Sequence, residues 1–306
     1  MKASSPPAAW KTLMAFAIIY LVWGSTFLAI RIGVHEVPPF LFAAMRFLVA
    51  GLALFGWTLA RGEHRPSSRE WLSALLVALL IFVCDYGLLF WAERSVASGV
   101  AAVMMSTIAA FMALAEILIL RTRKLTLRLA LALLIGTGGV AVLVSRSLSL
   151  GSAPIDALGA VALVVAAMSF ALGSTLTRKL PLPASRVLSS GAQMLAGGLL
   201  LALTSASLGE LHNFHPGSVS GGTWLALLYL IGPGSIIGFT AYVWLLHHQS
   251  PTKVGTYAYV NPVVAVLLGY FLGGEALGLR TLLGAFLILI SVVVITTTPV
   301  KNPGAA

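Results

Sequence analysis

Charge is scarce in this 306-residue chain: Asp, Glu, Lys and Arg make up 9% of it, against about 25% in a soluble domain. The scarcity excludes a solvated globular surface. A single cysteine, Cys84, argues for neither a disulfide nor a thiolate metal site. No P-loop is present to bind ATP, so work driven by ATP hydrolysis at such a loop is excluded. Histidine is absent from the middle of every apolar run, and His247-His248 are adjacent rather than four apart, so no pair of imidazoles shares a helix face. An intramembrane enzyme needs a constellation at one depth, and the chain offers only Asp85 and Glu116 at opposite depths. No metal, no cofactor and no enzymatic activity are expected.

What fills the chain instead is apolar: 59% hydrophobic residues and a mean hydropathy of +0.99. The apolar residues form ten blocks, 12-33, 39-60, 71-92, 97-120, 128-146, 157-178, 187-208, 223-246, 253-273 and 280-298. Each is close to the ~20 residues an α-helix needs to cross a bilayer core of ~30 Å. None shows the alternation of a membrane β-strand. The expected fold is therefore an all-α membrane protein of ten transmembrane helices, with Met1 to Lys11 as a short cytosolic tail rather than a signal peptide.

The net charge of +10 suggests nucleic acid until its distribution is read. From an N-in start, fourteen of the nineteen Lys and Arg fall on the cytoplasmic side, including Arg121, Arg123 and Lys124; four fall outside and Arg46 lies within a span. This is the positive-inside pattern, with both termini cytoplasmic and the lipid bilayer, not nucleic acid, as partner. The expected location is the inner membrane, multi-pass and monomeric.

The two halves align. "GSTFLAIR" at Gly24 matches "GSTLTRKL" at Gly173, "RFLVAGLAL" at Arg46 matches "QMLAGGLLL" at Gln193, and Trp71 and Trp91 fall opposite Trp224 and Trp244. Five spans per half is an odd number, so the halves, 12-146 and 157-298, enter the membrane in opposite senses. Such inverted repeats mark secondary transporters with a site near the midplane.

"YLVWGSTFLAIRIGV", "PPFLFAAMRFLVAG", "SVASGVAAVMM" and "YAYVNPVVAVLLGYFLGGE" resemble the EamA-domain branch of the drug/metabolite transporter superfamily over essentially the whole chain. The resemblance is nearest to its YedA-like members, with YddG-type aromatic amino-acid exporters as relatives. It implies two five-helix EamA repeats around a central cavity and export of small metabolites, often amino acids; multidrug efflux is the alternative within the family. By motif position it nominates Trp23, Asp85, Tyr86, Met104, Ser106, Phe170, Phe239, Tyr242, Tyr259 and Asn261 as cavity residues. Helical spacing adds that Phe239 shares a face with Tyr242, and Tyr257 with Asn261, whereas Tyr259 and Asn261 do not share one in an ideal helix.

The charges have two readings. Asp85 serves a substrate ammonium or a proton, or pairs with Arg46, which lies at similar depth. Glu116 carries protons or snorkels to the Arg121, Arg123 and Lys124 cluster, the latter favoured by its reach. Arg46 and Gln193 occupy equivalent places in the two halves. Pro262 cannot donate a backbone hydrogen bond and frees the Ala258 carbonyl, so it is the expected midplane hinge, exposing either a site or only a bend. Glu275 is expected to mark the turn into the last helix. The glycines at 136-139, 197-198 and 273-274 are expected to let helices approach closely.

Overall fold

The structure, a computed structural model, describes residues 8–96, 98–149, 157–273 and 279–298. Among these there is no strand, and the helices follow the apolar blocks within a few residues. They are α1 (Ala9–Val34), α2 (Pro39–Ala60), α3 (Ser68–Ala92), α4 (Ser98–Met105 and Ile108–Leu120), α5 (Leu127–Ser149), α6 (Ala157–Leu176), α7 (Arg186–Ser207), α8 (Gly221–His248), α9 (Pro251–Val254 and Tyr257–Gly273) and α10 (Leu279–Thr297). Six of them, α1, α2, α3, α6, α7 and α8, are long and apolar enough to cross a membrane by length and composition; α4, α5 and α10 contain shorter apolar helices. Ten spans fit this arrangement.

Helix α3 begins three residues ahead of its apolar block, because Ser67 caps it. The Glu70 N–H donates to Ser67 Oγ at 3.4 Å and the Ser67 N–H donates to the Glu70 carboxylate at 2.7 Å. This reciprocal box satisfies two of the N–H groups that a helix start leaves open.

In lipid, apolar side chains gain little by meeting one another, so helices associate where small residues admit a close approach. Helices α2 and α7 do this across the two halves. A Cβ on Gly51 would lie 2.4 Å from the Leu195 nitrogen, and one on Gly198 would lie 2.6 Å from the Leu48 nitrogen. Helices α5 and α10 meet the same way, where a Cβ on Gly136 would lie 2.5 Å from Ser291 Oγ. Gly274 and Glu275 lie outside the described residues.

Carboxylates join the halves at both faces. At one, the Ser220 N–H at the start of α8 donates to Glu36 at 2.8 Å, and the Leu41 N–H in the first turn of α2 donates to Glu210 at 2.9 Å. At the other, which carries Arg121, Lys179 and Lys253, the Thr252 N–H donates to Glu116 of α4 at 3.0 Å, and Lys179 donates to the Ile119 carbonyl at 2.6 Å. Each carboxylate sits at a helix N-terminus, where open N–H groups and the helix dipole favour negative charge.

Candidate functional site

Helices α3 and α8 each widen into a π-helical stretch, Leu79–Gly87 and Leu230–Ile237. Such stretches displace backbone carbonyls from regular bonding, and in a membrane these must find protein partners. Here they do: Ser169 Oγ donates to the Leu80 carbonyl at 2.9 Å, Trp23 Nε1 to Gly234 at 3.0 Å, and Ser235 Oγ to Leu230 at 2.9 Å. The first stretch carries Asp85 and Tyr86; the second carries Pro233, which has no N–H to offer.

Beside the first stretch lies a small cavity lined by Trp23, Thr26, Phe27, Ile30, Asp85, Tyr86, Leu89, Ala102, Met105, Ile108, Phe170, Tyr257, Ala258 and Asn261. The rings form one cluster: Trp23 lies 6.3 Å from Phe170, 5.0 Å from Tyr242 and 4.9 Å from Tyr257, centroid to centroid. Trp23 fits because residue 238 is glycine; a Cβ there would lie 2.5 Å from its indole nitrogen. The cavity offers about 40 Å³ to the centres of water-sized molecules. That holds water, at ~10–15 Å³ each, but falls far short of the ~300–1,000 Å³ of a ligand pocket, so the site is closed in this conformation.

Asp85 is 2% exposed and its Oδ1 has no hydrogen-bond partner among the described residues. It is not paired with Arg46. Arg46, 1% exposed, donates from Nε to Ser235 Oγ at 2.7 Å, and its guanidinium carbon lies 4.7 Å from the Phe47 ring centre and 5.1 Å from that of Tyr86. Similar depth does not give similar azimuth: Arg46 turns to the π stretch of α8, and aromatic faces supply the rest of its attraction. Its Nη1 has no partner.

Other expected residues divide. Trp23, Asp85, Tyr86, Phe170, Tyr257 and Asn261 come together around the cavity. Tyr242 supports them from behind, donating to Ser174 Oγ and packing on Trp23, and Phe239 packs between Phe82 and Tyr242. Met104 does not line the cavity; Met105 does, because α4 is interrupted at Ser106-Thr107 and turns the neighbouring side chain inward. Ser106 is buried at that interruption rather than on the wall. Tyr259 points the other way, donating to the Leu133 carbonyl at 3.1 Å and packing beside Leu129 and Ile288. The spacing of two that separates it from Asn261 puts it on the face toward α5 and α10.

Glu116 is buried, bonded to Thr252 and to Thr122 Oγ1 at 3.2 Å, and of the basic cluster its charge acts on Arg123. A buried N–H at a helix start outcompetes solvent for it. Gln193 is buried in α7, its Nε2 donating to Ser189 Oγ at 2.9 Å and its Oε1 unpartnered. Pro262 lies inside the continuous helix Tyr257–Gly273, and the interruption of α9 falls earlier, at Gly255-Thr256. Asn261 Oδ1 is buried without a partner beside it.

Sequence reasoning missed Ser235, the π stretches and Glu93. Glu93 was hidden by its place at the end of an apolar block, although its spacing of eight from Asp85 was visible.

A model of the EamA-like transporter family matches residues 10–145 and again 157–297. The chain belongs to the EamA-like transporter family. It is 38% identical over 284 residues to the "Uncharacterized inner membrane transporter YedA" of Escherichia coli (strain K12), covering 92% of this chain and 89% of YedA. It is 29% identical over 278 residues to "Protein PecM" of Dickeya dadantii, covering 90% and 88%. A solved crystal structure shares the fold with a TM-score of 0.74 at 23% identity, over 95% of this chain and 99% of that one. The double match gives this EamA-family transporter one copy of the domain in each half.

Proposed function

We propose that this EamA-family protein exports small organic solutes bearing an ammonium group, amino acids with apolar or aromatic side chains foremost, across the inner membrane. The observation that carries the reading is Asp85: a buried carboxylate with an unpartnered oxygen in a cavity otherwise walled by Trp23, Tyr86, Phe170 and Tyr257. A lone carboxylate is costly at membrane depth and is retained where it meets a charged partner. An ammonium supplies that charge, the rings take an apolar or aromatic side chain, and the Asn261 amide is placed for the polar end.

The halves are two inverted repeats with both termini cytoplasmic, and they work by alternating access as a monomer. The closed cavity fits this reading, as do the carboxylate links between halves at both faces, since a solute reaches Asp85 only when one set of links parts while the other holds. Proton coupling through Asp85 belongs to the same scheme: a carboxylate without a partner exchanges its proton for the solute cation.

Cationic drug efflux is the second reading, favoured by the absence of an Arg46 partner for Asp85. Counterflow in proteoliposomes decides between them. Vesicles are loaded with one amino acid or one organic cation at a time. Exchange of amino acids that is lost in Asp85→Asn supports export of amino acids. Exchange of organic cations alone selects the second reading, and no exchange of either removes both.

A further inference from the structure

Glu93 ends α3 at the face opposite Lys179 and Lys253. It is 0% exposed, and among the described residues neither Oε1 nor Oε2 has a hydrogen-bond partner. Three costs fall on it together. A buried carboxylate loses its hydration, an unpartnered one regains nothing from the protein, and a helix C-terminus already carries partial negative charge. The opposing charge is Arg31 of α1, yet Arg31 Nη1 donates to the Val96 carbonyl at 3.5 Å instead. Hydrogen bonding among the described residues therefore does not explain a glutamate here, although Arg31 attracts it.

Its position does. Asp85 and Leu89 line the cavity, and Glu93 follows Leu89 by one turn, so the two unpartnered carboxylates stand two turns apart on one helix, roughly 12 Å at 1.5 Å per residue. Ile30 also lines the cavity and is followed directly by Arg31. Leu89 and Ile30 thus separate an inner carboxylate from an outer one.

We infer that Glu93 is a second cation site, which takes an organic ammonium as it leaves Asp85 for the outer face. The inference rests on the proposed function only for the direction of travel. While the outer end is shut, as here, Glu93 waits without a partner and Arg31 is held at Val96. When Leu89 and Ile30 part, the ammonium meets a second carboxylate before it meets water, and Arg31 repels it onward.

The test uses the full chain in nanodiscs with dicyclohexylcarbodiimide, which modifies carboxyl groups in apolar surroundings, read by peptide mass spectrometry. Phenethylammonium is the probe and 2-phenylethanol its neutral match. The expected result is an adduct on Glu93 whose rate of formation falls at least five-fold with phenethylammonium and is unchanged with the alcohol, in the Asp85→Asn variant as well. The Arg31→Gln variant is expected to keep the protection. No adduct, equal labelling with and without the cation, or protection that disappears in Arg31→Gln overturns the site, the last by making Glu93 only the counter-charge of Arg31. Protection in a protein that exchanges no amino acid keeps the site and rejects the amino-acid reading instead.

Discussion

Glu116 of α4 accepts both the backbone N–H of Thr252, at 3.0 Å, and its hydroxyl, at 2.5 Å, and so fastens the first half of the chain to the start of α9 in the second. Replacing the carboxylate leaves a buried N–H without an acceptor, which costs about 1–3 kcal/mol. Glu116→Ala is expected to lower the unfolding temperature in detergent and to increase thiol labelling of residues introduced at the basic ends of α4 and α9. Glu116→Gln, which keeps one acceptor oxygen, should fall between the two. Equal stability of all three proteins would rule out the fastening role.

The contact between α2 and α7 gives a matched pair within one helix. Gly51→Ala drives a methyl into the Leu195 backbone, whereas nothing lies within 4 Å of a Cβ on Gly56. The first is expected to destabilise by about 1–3 kcal/mol through overpacking. The second is expected to be neutral or to gain up to about 1 kcal/mol, the helix preference of alanine over glycine. Thermal unfolding of both variants in the same detergent measures the difference directly.

The positions of the helices were legible because a crossing helix must be about 20 apolar residues long and its interruptions are polar or glycine-rich. The close approaches at Gly136, Gly139, Gly197 and Gly198 were legible as small residues in an oily helix, whereas Gly138, in the same run, meets nothing within 4 Å. Azimuth was not legible. Depth alone left a pairing of Asp85 with Arg46 open, and it is the fold that turns Arg46 to Ser235. Widening of α3 and α8 leaves no mark in hydropathy, and neither does the interruption of α4 at Ser106-Thr107, so the register that selects Met105 over Met104 could not be counted from the sequence. For Glu116, side-chain reach was weighed without knowing that an open helix start lay next to it.

Glu36 lies outside the spans, and the Ser220 N–H holds its carboxyl below the ordinary glutamate value of 4.5. A depressed value in the folded protein means that the ionised form is the stabilising one. Its contribution is complete above the unfolded pKa and is lost as pH falls through the lower folded one. Wild-type protein should therefore exceed Glu36→Gln in stability by a constant margin near neutrality, and the margin should close below pH 4.5, the ordinary value. Melting temperatures of the pair across pH provide the check; a margin that grows on acidification would reverse the sign.

Arg121 closes α4 with φ 56° and ψ 24°, the left-handed conformation. A side chain there costs roughly 1–2 kcal/mol that glycine avoids. Arg121→Gly is expected to raise stability by about 1 kcal/mol without altering exchange, since the side chain is exposed and the cavity is distant. Unfolding in detergent and counterflow on the same preparation read both halves of this expectation.

Asp85→Asn separates stability from transport. An unpartnered carboxylate in the interior is expensive when ionised, and an amide of the same shape removes the charge while keeping the volume. The variant should therefore unfold at a higher temperature than the wild-type protein. It should also fail to exchange an ammonium-bearing solute, because the counter-charge is gone while the rings of Trp23, Phe170 and Tyr257 remain in place. Residues that are costly to the fold and needed by the function are expected where a site is built. A variant that is both less stable and inactive would instead make Asp85 a structural group, and the ammonium reading of the cavity would fall with it.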